Sequence, residues 1–282
     1  METISKINEA RNIINEWKRQ GLSIGFVPTM GCLHQGHLSL IEQARQENDK
    51  VIVSIFVNPL QFGPHEDFSR YPRSLDKDLE GCRNFGADLV FTPSLKELLP
   101  ETNLVYVDVD LLGNNLCGSS RPGHFRGVCT IVAKLFNILT PDRSYFGQKD
   151  AQQLAIITRM VKDLNFSTKI VPCPIVREAD GLAMSSRNVY LTKEERKAAT
   201  IISKSLTAAK SLLEQGERDS LNIKSFIIDS IKTEPLANID YVEIVDHSTL
   251  QFTDTIEKPI LIAVAVYFGK TRLIDNFTYK EV

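Results

Sequence analysis

Apolar positions along the chain change period repeatedly, and the changes divide it into elements. In METISKINEARNIINEWKRQG, Ile4, Ile7, Ile14 and Trp17 recur at helical spacing and predict an amphipathic first helix. Ser23–Val27 is a short apolar run closed by Pro28, followed by a helical pattern from about Gly36 to Asn48. Val51–Val57 (VIVSIFV) is apolar at nearly every position, as in a parallel strand covered on both faces. The alternation continues with a helix over Ser74–Phe85, a strand over Asp88–Phe91, a helix over Val128–Ile138, a strand over Ser144–Phe146, a helix over Ala151–Leu164 and a strand over Lys169–Pro172. Strands alternating with helices predict an α/β domain built on a parallel sheet with helices on both faces.

The pattern changes near Pro172–Ser186, where prolines and the loop sequence READGLAMSSRN interrupt it. Lys193–Gln215 is then strongly helical, with Thr192 as its cap ahead of Glu194 and Glu195. A further helix is predicted over Ser220–Thr233, and strands over Tyr241–Val245 and Pro259–Val266. This pattern predicts a division into residues 1–175 and a smaller α+β domain over residues 176–282.

Composition narrows the classes. The 282 residues suffice for one large domain or two ordinary ones. Lys+Arg 33 against Asp+Glu 35 gives a net charge of −2, so no general electrostatic attraction to nucleic acid or an anionic membrane is expected. No apolar stretch approaches the roughly 18 residues of a membrane span, and the charged N-terminus lacks the apolar region of a secretory signal. Cys32, Cys82, Cys117, Cys129 and Cys173 are widely spaced, with no C-x-x-C, and predict free thiols in a reducing cytoplasm.

Candidate chemistry concentrates in residues 25–38, GFVPTMGCLHQGHL. The spacing of Gly31 and Gly36 is that of a phosphate-binding loop, but His37 and Leu38 stand where that loop requires Lys-Ser/Thr. What remains is a strand, a glycine-rich turn and a helix start bearing His34 and His37. Backbone N–H groups and the helix dipole there predict an anion site, with the imidazoles donating to phosphate. A cap or a metal pair is the competing reading, and His65, His124 and His247 supply no ligand pattern to complete a metal set. In FGQKDAQQ, Gly147, Lys149 and Asp150 follow a strand and open a helix, where ligands bind in open α/β sheets. There Lys149 would neutralise phosphate and Asp150 accept from ribose hydroxyls, unless Asp150 is merely a cap. In AMSSRN, two hydroxyls and Arg187 offer a loop able to close over phosphates, with a serine-rich turn as the bland alternative.

PTMGCLHQGH resembles the H-x-G-H signature of the class I aminoacyl-tRNA synthetase and nucleotidylyltransferase superfamily, and MSSR resembles its second loop. The ordered set PTMG-x-LH-x-GH, VSIFVNPLQFGP, YPR, RPGHFRGV, YFG-x-KDAQQL and VREADGLAMSSRN resembles, more closely, the pantoate–β-alanine ligase family, in detail over roughly residues 20–200. The resemblance implies a Rossmann-like doubly wound sheet in the first domain, binding ATP and pantoate, and a lid-like role for the second. It implies condensation of pantoate with β-alanine through a pantoyl adenylate, releasing pyrophosphate and AMP. It also implies a homodimer.

The resemblance further implies roles for individual residues. Met30, Gly31, Cys32, Leu33, His34, Gln35, Gly36 and His37 would line the ATP site, with His37 as proton donor and His34 and Lys149 as its catalytic companions. Gly147, Gln148, Lys149 and Asp150 would bind ATP, Val176 would meet adenine through its backbone, and Met184, Ser185, Ser186 and Arg187 would cover the phosphates. Gln61 and Gln153 would bind pantoate, with Asn58 a weaker candidate. Some relatives place adjacent carboxylates, linked to magnesium or to the amine substrate, where Lys77 here separates Asp76 from Asp78, so magnesium is expected mainly on the ATP phosphates, with the assistance of Asp76 or Asp78 to the metal or the amine left open. Arg121 and His124 belong to a family motif and serve either gating or loop structure; His65 and Cys117 read as structural. The competing enzyme is a nucleotidylyltransferase acting on a phosphorylated acceptor, which would need basic residues where NPLQF and KDAQQ offer glutamines. A nucleotide sensor on the same fold would keep the phosphate loop but not the pantoate residues.

Overall fold

A computed structural model of the chain describes residues 1–64 and 66–280; His65 therefore lies outside the described residues. The elements run β1 (Glu2–Ile4), α1 (Ile7–Arg19), β2 (Ile24–Thr29), α2 (Gln35–Glu47), β3 (Lys50–Ile55), α3 (Leu75–Asn84), β4 (Leu89–Phe91), α4 (Leu95–Leu98), α5 (Cys117–Ser120) and α6 (His124–Leu139). They continue with β5 (Arg143–Gly147), α7 (Ala151–Asp163), β6 (Lys169–Cys173), α8 (Lys193–Ala198), α9 (Thr200–Glu214), α10 (Ser220–Lys232), β7 (Ala237–Asp246), β8 (Ile260–Phe268) and β9 (Thr271–Tyr279). Two compact units result: one of Met1–Asp110, Arg121–Gln148 and Gln153–Pro174, the other of Leu111–Ser120, Lys149–Gln152 and Ile175–Val282.

The first unit is built on a parallel sheet in the order β1-β4-β3-β2-β5-β6. Ile24, Phe26, Val27, Val51, Ile52, Val53, Leu89, Val90 and Phe91 are buried, which explains the unbroken apolar runs of β2, β3 and β4. The chain winds outward from β2 through β3 to β4 on one side and from β5 to β6 on the other, so the winding reverses between β2 and β5. Ligands of open α/β sheets bind at the carboxyl ends of strands where this reversal occurs. Among the described residues the β2–β5 ladder comprises Gly25–Phe26 against Arg143–Ser144, and Pro28 has no N–H to extend it. By contrast β2 pairs with β3 along all of Ile24–Thr29.

The second unit carries an antiparallel sheet in the order β7-β8-β9. Helices α9 and α10 bury Ile202, Leu206, Leu213, Ile223, Ile227 and Ile231 in the core that holds Ile262, Val264 and Val266 of β8.

Four details depart from the sequence reading. Ile4 belongs to the edge strand β1, paired with β4 at Phe91, and not to the first helix. Helix α6 begins four residues before Val128, at His124. The helix expected over 193–215 is two helices: Ile202 N–H bonds the Ala199 carbonyl three residues back, a tightened turn between α8 and α9. Strand β9 escaped detection because buried polar Asp275 and Asn276 break its apolar alternation.

Candidate active site

The glycine-rich turn after β2 is held from behind by one carboxylate. Asp78, 2% exposed in the first turn of α3, accepts from Cys32 N–H (Oδ2, 2.9 Å) and Leu33 N–H (Oδ1, 2.8 Å), and from the Ser74 hydroxyl (Oδ1, 3.2 Å). Thr29 Oγ1 accepts from Gly31 N–H at 3.2 Å. Gly31 has φ +82°, and a Cβ there would come within 3.0 Å of Asp78 Oδ2 and of Ile55, so glycine is required on both counts. Asp78 is thereby engaged by the loop, while Asp76 is exposed.

His34 caps α2 and lies against His37 one turn on. His34 Nδ1 accepts from Gly36 N–H at 3.1 Å, and His37 Nδ1 accepts from His34 N–H at 3.3 Å, with ring centroids 4.1 Å apart. Since each Nδ1 accepts, each neutral ring carries its proton on Nε2. The N–H groups of Cys32, Leu33, His34 and Gly36 are taken by the Asp78, His37 and His34 side chains. The donors that suit an anion here are the imidazole Nε2–H groups, at the positive end of the α2 dipole.

The turn after β3 is equally determined. Pro59–Gln61 forms one turn of 3-10 helix capped by Asn58, whose Oδ1 accepts from Leu60 N–H at 3.0 Å. Asn58 Nδ2 donates to the Gly127 carbonyl and to Gln61 Oε1, both at 3.0 Å. These partners fix the Asn58 amide, and Asn58 in turn fixes that of Gln61, leaving its NH2 as the donor face. On the other side Arg121 Nη2 (3.2 Å) and His124 Nδ1 (2.8 Å) donate to the Gln61 backbone carbonyl. Because β2, β3 and β5 are neighbours, three predicted segments, Met30–His37, Asn58–Gln61 and Gly147–Gln148, issue from the carboxyl ends of adjacent strands. Gln153 follows in the first turn of α7, half-buried.

In the second unit, neighbouring residues of β9 anchor the other two segments. Asn276 Nδ2 donates to the Lys149 carbonyl at 2.8 Å. Asp275, 2% exposed, takes a two-pronged contact from Arg177 at 2.6 and 2.9 Å. Arg177 and Ala183 are bridged, Met184 N–H bonds the Val176 carbonyl, and Ser185 Oγ accepts from Arg187 N–H at the start of the 3-10 turn Ser186–Tyr190. Ser186 is buried, Met184, Ser185, Arg187 and Lys149 are half-buried, and Asp150 is exposed. Gln152, adjacent to the expected Gln153, is buried and saturated: it accepts from Cys117 N–H and donates to the Leu112 and Asn115 carbonyls. Sequence reasoning assigned no role to Arg177, Gln152, Asp275 and Asn276; the first two lie inside the quoted segments VREADGLAMSSRN and FGQKDAQQ, and for the pair in β9 the adjacent polar residues within an apolar run were the available signal.

Among the described residues no group of three His, Cys, Asp or Glu is placed to hold a metal ion, and no helix is long and apolar enough to cross a membrane.

The profile of the pantoate-beta-alanine ligase family matches residues 2–278. The chain belongs to this family. It is 59% identical over 280 residues to a pantothenate synthetase of Clostridium botulinum (strain Kyoto / Type A2), covering 99% of this chain and all of that one. It is 58% identical over 279 residues to the pantothenate synthetase of Clostridium acetobutylicum, covering 99% of each. Its fold is similar to the crystal structure of pantothenate synthetase from Thermus thermophilus, with a TM-score of 0.93 and 44% identity, over 98% of this chain and 99% of that one. It is also similar to pantoate-beta-alanine ligase from Francisella tularensis, solved with beta-gamma ATP and beta-alanine, at a TM-score of 0.81 and 38% identity over 98% and 97% of the two chains.

A pantoate–β-alanine ligase joins an acid to an amine, and this chain is such a ligase. None of its five cysteines is in a disulfide. Burial pushes the Cys82, Cys129 and Cys173 thiols up to about 12, the opposite of what a nucleophile needs.

Proposed function

We propose that the ligase works by adenylation. The pantoate carboxylate attacks the α-phosphorus of ATP, pyrophosphate leaves, and the β-alanine amine then displaces AMP from the pantoyl adenylate to give pantothenate. A carboxylate has no good leaving group, and the adenylate supplies one. The observation that carries this reading is the paired imidazoles at the end of β2, both protonated on Nε2, at the winding reversal of a sheet whose next strand ends in Gln61.

On this reading His34 and His37 donate to the phosphates, with His37 the group that stabilises charge developing at the reacting phosphate. Met30, Gly31, Cys32, Leu33, Gln35 and Gly36 shape the ATP site, together with Gly147, Gln148 and Asp150. Lys149 adds positive charge, Val176 meets adenine through its backbone, and Met184, Ser185, Ser186 and Arg187 contact the phosphates. Gln61, with Gln153, binds pantoate: the Gln61 NH2, left as donor by Asn58, suits the acid's oxygens. Magnesium enters with ATP, held by phosphates and water; the engagement of Asp78 by the loop amides argues against a direct ligand there. The strand–helix pattern supports residues 1–175 as the ATP- and pantoate-binding domain and residues 176–282 as the lid domain, although Leu111–Ser120 and Lys149–Gln152 cluster with the second unit; the family resemblance supports a homodimer, and the free thiols suit a cytoplasmic setting.

The test is isotope exchange between pyrophosphate and ATP. Exchange is expected with pantoate alone and without β-alanine. Exchange that requires β-alanine, or none with either acid present, overturns the adenylate.

A further inference from the structure

The RPGHFRG motif at the start of α6 has no role so far, yet its side chains converge on one turn. Arg121 Nε and Nη2 grip Glu66 Oε1 and Oε2 at 2.7 and 2.6 Å, and the same guanidinium reaches the Gln61 carbonyl. Its Nη1 lies 3.0 Å from His124 Nε2, and His124 Nδ1 lies 2.8 Å from that carbonyl. A guanidinium has only donors and a carbonyl only accepts, so His124 is the neutral Nδ1–H tautomer, accepting from Arg121 and donating to Gln61. One turn further along α6, Gly127 completes the contact. Its carbonyl takes Asn58 Nδ2, and a Cβ at Gly127 would sit 2.1 Å from the Leu60 carbonyl, so only glycine lets the helix approach this turn.

We propose that Glu66, Arg121 and His124 form a clamp that positions Gln61, fixing its backbone so that its amide meets pantoate. These are positioning residues: Glu66 orients the Arg121 fork, Arg121 sets the His124 tautomer, and both donors hold the Gln61 carbonyl. Asn58 holds the same residue's side chain from the opposite side. The clamp rests on the reading of Gln61 as a pantoate ligand. It predicts selectivity, because a residue a fraction of an ångström out of place weakens the acid that Gln61 reads and leaves ATP unaffected.

The decisive experiment is a double-mutant cycle read in steady-state KM values for pantoate and ATP, with melting temperature recorded for each variant. His124→Ala is expected to raise the pantoate KM by about tenfold or more and to change the ATP KM by less than about twofold, given the rate cost of misplaced binding groups. His124→Asn, whose amide nitrogen can stand where Nδ1–H stands, is expected to recover most of that loss. In a Gln61→Ala background, His124→Ala should add less than about twofold, because the clamp acts only through Gln61. If His124→Ala does not fold, Glu66→Gln, which keeps the volume and removes the charge, should give the same selective rise at smaller amplitude. Equal rises in both KM values, or full additivity with Gln61→Ala, would make these residues merely structural and overturn the clamp. A pantoate KM unchanged in His124→Ala and Glu66→Gln but raised in Gln61→Ala removes the clamp alone. An unchanged pantoate KM in Gln61→Ala removes the reading of the pocket, and the clamp with it.

Discussion

Asp78 ties α3 to the glycine-rich turn after β2. Its carboxylate is bonded by two amides and a hydroxyl, so Asp78→Ala leaves buried donors unmatched at a cost of about 1–3 kcal/mol each. A variant that melts as the native protein does would contradict this account; Asp78→Asn, which turns one oxygen into a donor facing an N–H, should rescue little. His37 gives a sharper test. His37→Ala should slow adenylate formation about 10²–10³-fold with the fold intact, read by single-turnover pyrophosphate release from ATP and pantoate. His37→Gln, whose amide reaches the Nε2 position, should retain more activity than His37→Asn, which reaches Nδ1; the reverse order would refute the assigned tautomer. At this scale the sequence displayed the chemistry but not its wiring. His34 and His37 stood out by their spacing at a helix start and Gln61 by the family resemblance, whereas the capture of loop amides by Asp78 depends on α3 folding back onto a turn some 45 residues earlier.

At the scale of elements, α6 meets the Asn58–Gln61 turn with Gly127 at the point of closest approach. Gly127→Ala should shift that turn and raise the pantoate KM; a crystal structure of the variant with the Leu60 carbonyl unmoved would count against it. The Glu66–Arg121 link adds a pH signature. Burial would push the Glu66 carboxyl up, but hydrogen bonds and charge from Arg121 outweigh it and hold it below the ordinary range. A lowered carboxyl contributes its stabilisation above the unfolded value of about 4.3, and loses it as pH falls through the folded value. The pantoate KM should therefore be unaffected by this group at neutral pH and rise only in acid, and Glu66→Gln should remove that acid limb. Strands β2, β3 and β4 were legible because burial on both faces leaves uninterrupted apolar runs. Strand β9 was not, because Asp275 and Asn276 are buried to hold Arg177 and Lys149, and polar residues inside a strand look like loop.

For the whole molecule, the winding reversal between β2 and β5 brings three separated motifs to one edge of the sheet: they leave it from neighbouring strand ends. Strand–helix alternation predicted the parallel sheet and the family resemblance its double winding, whereas the strand order that places the reversal between β2 and β5 was not readable. The placement of Lys149–Gln152 and Leu111–Ser120 in the second compact unit was not readable, because it depends on proximity between segments distant in sequence; the buried Gln152 amide ties these two to each other. Three of the five thiols should be silent in the native molecule: with Cys82, Cys129 and Cys173 at about 12, iodoacetamide at a pH of about 8, near the ordinary thiol value, should leave these three unmodified until denaturant is added. Labelling of any of them in the folded enzyme would contradict their burial.

The fate of ATP when both carbon substrates are supplied decides whether the chain works by adenylation. The direct measurement is AMP and pantothenate formed from magnesium–ATP, with pantoate and β-alanine added singly and together. The prediction is sustained AMP release only with both present, with one pantothenate for each AMP. AMP released without pantothenate, or pantothenate formed with ADP in place of AMP, would contradict it.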